Sequence, residues 1–278
     1  VLLAVSLWAG FPLAFGTILP HAYLPLIVVL FSLIVRGVSV EMASQAAPAP
    51  RWERAFGVAS LTAALAQGVV LGALTERLAV ADGAFSGSPF GAIGWFSALT
   101  CAYLALGYAY AKWKATGELR GNAGRRGTVS AVLASALGVA CLVAVDRTAA
   151  PLNLGGPGRA IGFAGLLLVA AVGMVMALVT LRPASRYDAL PIAGLVTAMV
   201  AVVLAVVVAR YPVLAPPGLT VADTAAPNLT MVFLAVGIGL NVPLILFYNW
   251  FSHHAFRGKL DSGPGSRDLP NPRLRSHL

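Results

Sequence analysis

The chain has 278 residues, 59% of them hydrophobic and 10% charged, with a formal net charge of +9. Soluble domains carry about a quarter charged residues, so a soluble globular protein is excluded. The positive balance fits either a nucleic-acid partner or membrane topology, and its placement along the chain decides between them.

The first 35 residues are uncharged, but Pro12, Pro20 and Pro25 interrupt them. They read as one span, an interfacial turn around Leu19–His21, and a second span from Tyr23 to Val40. Uncharged runs recur at Ala55–Thr75, Gly83–Ala111, Thr128–Val145, Ala160–Leu181, Ala189–Ala209 and Thr224–Ser252. Each is near or above the roughly 20 residues that cross a hydrocarbon core. The alternation of a β-barrel strand is absent, and helices satisfy every backbone group within one segment. The expected fold is an all-α polytopic membrane protein with about eight transmembrane helices packed as bundles. Residues 1–259 form the membrane domain. Residues 260–278, polar and rich in Pro and Gly, read as a disordered tail.

The connections divide the basic residues unevenly. One side receives Arg36, Arg51, Arg54, Lys112, Lys114, Arg120, Arg125, Arg126, Arg182, Arg186 and the tail's Arg257, Lys259, Arg267, Arg273 and Arg275. The other side receives only Arg77, Arg147, Arg159 and Arg210. This is the positive-inside pattern, so topology accounts for the charge and no nucleic-acid partner is expected. The C-terminus falls on the cytoplasmic side, and the connection YPVLAPPGLTVADTAAPNLT falls on the outer face. SQAAPAPRWER, KATGELRGNAGRRG and RPASRYD read as cytoplasmic connections. Asn228-Leu229-Thr230 matches a glycosylation sequon, read as chance.

Few residues offer chemistry. His21 lies at the outer interface, and His253, His254 and His277 lie at or beyond the inner end of the last span, so a His-ligated haem inside this chain is not expected. Met174, Met176, Met199 and Met231 sit on aliphatic runs and read as packing residues. Cys101 and Cys141 lie within spans and have no partner at metal-site or CxxC spacing. No HExxH, Gly-rich phosphate loop or nucleophile elbow occurs, so no catalytic residue and no metal site is assigned. Arg36 and Glu41, five residues apart near an inner span end, are candidates for snorkelling or for a paired, proton-path role. Gln67, before Gly68 and Gly72, is a candidate for interhelical glue or for a quinone contact. Asn241 with Pro243 resembles a broken helix, the feature a secondary transporter would need. In the outer connection, Pro212, Pro216, Pro217 and Pro227 stiffen the backbone, and Asp223 or Thr224 is placed to cap a helix.

That connection also carries a resemblance. YPVLAPPGLTVADTAAP resembles the segment before the last span in subunit II of cytochrome bd-type quinol oxidases. FPLAFGTILPHAYLPLIVVLFSLIVRGVSVEM, LTAALAQGVVLG, ALTCAYLALGYAYAKWKATGELR and YNWFSHHAFRGKL are similar to further blocks of that family, in the same order, up to about Leu260. Met42, Ala43 and Ala222 depart from its pattern. The family's first span and the acidic segment opening its second would precede Val1, and a start at VLLAVSLWAG carries the expectation that the chain begins late. The resemblance implies a subunit of a quinol:oxygen oxidoreductase in a bacterial cytoplasmic membrane. A larger subunit I would carry the b and d haems, oxidise quinol and reduce dioxygen to water. This chain would support that partner among the membrane lipids and hold a structural quinone. A transporter or a non-catalytic scaffold are the rival readings.

Overall fold

The computed structural model describes residues 8–45, 49–75, 89–148, 155–183, 185–215 and 219–255. Seven long helices occur among them: α1 (Pro12–Gln45), α2 (Ala49–Thr75), α3 (Pro89–Lys114), α4 (Gly117–Thr148), α5 (Pro157–Leu181), α6 (Leu190–Arg210) and α8 (Asn228–Ala255). Between α6 and α8 lie two short strands, β1 (Val213–Ala215) and β2 (Leu219–Thr220), and the one-turn helix α7 (Val221–Thr224). The all-α membrane reading stands. By length and apolarity, Ala22–Ala43, Pro157–Leu181, Leu190–Ala209 and Asn228–Ser252 are candidate membrane spans.

Three expectations need correction. The interfacial turn at Leu19–His21 is not there, because α1 is helical from Pro12 through Pro20 and Pro25. Each proline deletes one backbone N–H, but a membrane helix accepts such gaps where its surroundings re-satisfy the freed carbonyl. At 1.5 Å per residue α1 is about 51 Å long, so its first turns extend beyond a core of about 30 Å. Second, GELRGNAGRRG is not a loop. Gly117, at φ +60°, turns the chain directly into α4, where Arg and Glu are good helix formers. The connection between α3 and α4 shrinks to Ala115 and Thr116. Third, α8 is continuous across Asn241 and Pro243. Asn241 Nδ2 donates to Gly237 O at 2.8 Å, within its own helix, so the break a transporter would need is missing. The expected tail, residues 260–278, and the connection 76–88 lie outside the described residues.

Packing follows chain order. Helices α1 to α4 pack as successive neighbours, and α5 pairs with α6. Close approach rests on small residues. A Cβ at Gly68 of α2 would lie 2.3 Å from Phe96 Cα of α3, and one at Gly194 of α6 would lie 2.6 Å from Gly173 O of α5. The two groups meet in a core of Ala105, Ala109, Ala131, Ala177, Leu181 and Leu195. Helix α8 stands apart, with no residue of its apolar window buried inside the chain.

Candidate functional site

The connection between α6 and α8 is built on a reciprocal cap. Thr220 is the N-cap of α7: Asp223 N donates to its Oγ1 at 3.3 Å, and Thr220 N donates back to Asp223 Oδ2 at 3.1 Å. The Thr220 hydroxyl also donates to Asp223 Oδ2, at 2.5 Å. These two bonds, the hydroxyl first and the backbone N–H second, hold the Asp223 carboxyl below the usual aspartate range. The side chain stays exposed, while Thr224 is buried and donates to Thr220 O at 2.9 Å. The cap therefore serves a single turn ahead of the last helix, which begins afresh at Asn228.

Strands β1 and β2 pair antiparallel, Val213 against Thr220, with a bulge before Ala215. The assembly then fastens to two distant elements. Ala226 N donates to Gly10 O at 2.8 Å, just ahead of α1. Arg159, at the start of α5, donates to Tyr211 O at 3.2 Å and lays its guanidinium 5.3 Å from the Tyr211 ring centroid. Arg159 and Tyr211 thus share one end of the bundle.

Gln67 faces α3, where its Oε1 accepts a hydrogen bond from Tyr103 Oη at 2.8 Å. This pair sits beside the Gly68–Phe96 approach. Arg36 and Glu41 are not presented to each other by the helix: five residues rotate one from the other by about 140°. The Arg36 guanidinium lies 5.4 Å from the Phe56 ring centroid on α2, and Glu41 accepts from Gln45 Nε2 one turn on.

The opposite end of the bundle holds a cluster that sequence reasoning missed. Lys112, at the end of α3, is fully buried, and its Nζ donates to Thr180 O and, at 3.0 Å, to Arg182 O. Both carbonyls belong to the C-terminal end of α5. Arg120 on α4 pairs with Asp188 at 2.8 Å and donates to Ser185 O at 2.7 Å in the α5–α6 connection. The only sequence signal was the acid in RPASRYD; the cations had been assigned wholly to topology.

No group of three His, Cys, Asp or Glu side chains that could hold a metal occurs among the described residues. The haem test gives a misfit. His254 stacks beside Trp250 at 5.5 Å on an exposed stretch of α8, and Met174 packs against the alanine core. Neither of these two side chains is set toward a second His or Met, as a haem ligated from two helices of a bundle would need.

The family model described as cytochrome bd terminal oxidase subunit II matches residues 1–256. No curated protein matches the chain.

Proposed function

The chain belongs to the subunit II family of cytochrome bd terminal oxidases, and from that premise we propose that it is the non-haem partner of a haem-bearing subunit I. The family places it in a respiratory oxidoreductase complex that contains haem. In the proposed division of labour, subunit I carries the b and d haems, takes electrons from quinol and delivers them to dioxygen. This chain supplies a helical partner surface, embedded in the bacterial cytoplasmic membrane with its C-terminus on the cytoplasmic side. The single observation that carries the reading is the match over residues 1–256. The misfit between its described histidine and methionine sites and a haem supports placing the cofactors in the partner.

The roles of named residues follow from their partners. Gln67 is helix glue, since its carbonyl already accepts from Tyr103, and its amide N–H groups are the donors left for a structural quinone. Arg36 anchors the inner half of α1 against Phe56. Glu41, exposed near the inner end of α1, is a candidate for proton entry. Asp223 fixes the outer connection over the start of α1.

The test is complementation. Membranes from cells lacking this chain should show no quinol-driven oxygen uptake through the bd-type oxidase and little haem-bearing partner. Restoring the chain should restore both. Full uptake and full partner level without the chain would reject the proposal.

A further inference from the structure

The helices from α1 to α4 and the α5–α6 hairpin touch along a seam that is tight at one end. Gly124 and Gly127 of α4 bring its backbone onto the end of α5: a Cβ at Gly124 would lie 2.6 Å from Leu181 O, and one at Gly127 would lie 3.1 Å from Leu181 Cδ2. Gly138 on α4 and Gly162 and Gly165 on α5 have nothing within 4 Å of a notional Cβ. Val139 and Val143 of α4 and Ile161 and Leu168 of α5 are exposed.

Apolar packing across this end centres on small residues, with Leu106, Met174, Leu178 and Ile192 packed around them. Four of the six core residues there, Ala105, Ala109, Ala131 and Ala177, are alanines, each burying a single methyl group. Within a membrane, moreover, apolar side chains gain little by leaving lipid for protein. The polar ties are of another order. Helix α5 ends with carbonyls that have no partner in their own helix, and its macrodipole places roughly half a negative charge there. Lys112 reaches them from α3, 68 residues earlier in the chain, as a cationic C-cap lent by one group to the other. Arg120 repeats the connection one element further on, through Asp188 and Ser185 O. Two cations thus meet one carboxylate and one negative helix end, which offsets most of the charge at a site where Lys112 has no exposure to solvent.

We infer that Lys112, Arg120 and Asp188 form a latch that joins α3–α4 to the α5–α6 hairpin at this end. The latch, rather than the alanine core, keeps the seam closed to water. On the orientation proposed above it lies at the cytoplasmic face, but the inference rests on the contacts alone.

The test reads the seam in the full chain within its native membrane. In a Cys101→Ala/Cys141→Ala background, Ala131→Cys places a thiol at a fully buried seam position, and Val139→Cys supplies an exposed control. Labelling by a membrane-permeant maleimide is measured on peptides of this chain. Lys112→Met and Asp188→Asn should each raise labelling at the Ala131→Cys site by roughly tenfold, while the control stays unchanged. The exchange Arg120→Asp/Asp188→Arg should return labelling to within about twofold of the parent, the spread expected of additive sites. Unchanged labelling in the single variants, or an exchange variant as reactive as they are, overturns the inference. If the single variants do not accumulate, the exchange and Lys112→Arg decide: both must accumulate and stay protected, and failure of either overturns it.

Discussion

Gly68→Ala offers a sharp test of how this bundle is held. The added Cβ would meet Phe96 Cα at 2.3 Å, Phe96 N at 2.9 Å and Phe96 C at 3.1 Å, all backbone atoms that no rotamer change can move. Ordinary van der Waals contact begins near 3.4 Å, so α2 and α3 must part locally by about 1 Å. The hydrogen bond from Tyr103 Oη to Gln67 Oε1, adjacent in sequence and 2.8 Å long, would stretch to about 3.8 Å and cease to count as one. Overpacking costs about 1–3 kcal/mol. The lost interhelical bond adds about 0.6 kcal/mol, at most about 1.7. Alanine returns about 1 kcal/mol of helix propensity. The expected net loss is about 1–3 kcal/mol, read as a lowered midpoint in mixed-micelle denaturant titration of the purified complex. Gly57→Ala, on the same helix with nothing within 4 Å, is the control and should be neutral or slightly stabilising. A double-mutant cycle sharpens the result: Tyr103→Phe should cost nothing further once Gly68→Ala is present. Full additivity, or a stabilised Gly68→Ala variant, would refute the argument.

Four further outcomes follow from named contacts. Tyr103→Phe alone should lower stability by about 0.6 kcal/mol in the same titration, by removing the donor to Gln67. Gly194→Ala should destabilise the α5–α6 pair, since its Cβ would meet Gly173 O at 2.6 Å, whereas Gly165→Ala, in open space, should not. In the outer connection, Thr220→Ala should cost about 1 kcal/mol of local stability, seen as faster proteolytic nicking between residues 211 and 230. Asp223 sets that segment's pH response. Its folded pKa is depressed, so its contribution is whole above the ordinary aspartate range and is lost as pH falls through the folded value. Nicking should therefore accelerate on acidification in the parent protein and respond far less in Asp223→Asn.

What the sequence made legible follows one physical rule, that long uncharged runs must become helices in lipid. Ala160–Leu181 and Ala189–Ala209 reappear almost unshifted as α5 and α6. The rule failed where a local signal was read without its surroundings. Pro20 and Pro25 were taken as breaks, although a membrane helix tolerates them. The charged run after Gly117 was taken as a loop, although it continues α4 beyond its apolar portion. The Thr220–Asp223 cap was within reach of sequence, because both partners lie one turn apart and flank the turn they close. The Lys112 cap was not, since donor and acceptors are 68 and 70 residues apart and nothing local connects them. Reading Lys112 and Arg120 as topology markers concealed that they also fasten helices together.

The most direct measurement is to purify this chain from its native membrane in mild detergent and record the reduced-minus-oxidised spectrum of what comes with it. A larger partner carrying b-type haem and a far-red chlorin band, with quinol-driven oxygen uptake, is the predicted result. A chain that purifies alone and colourless, from membranes that demonstrably contain the oxidase, would contradict it.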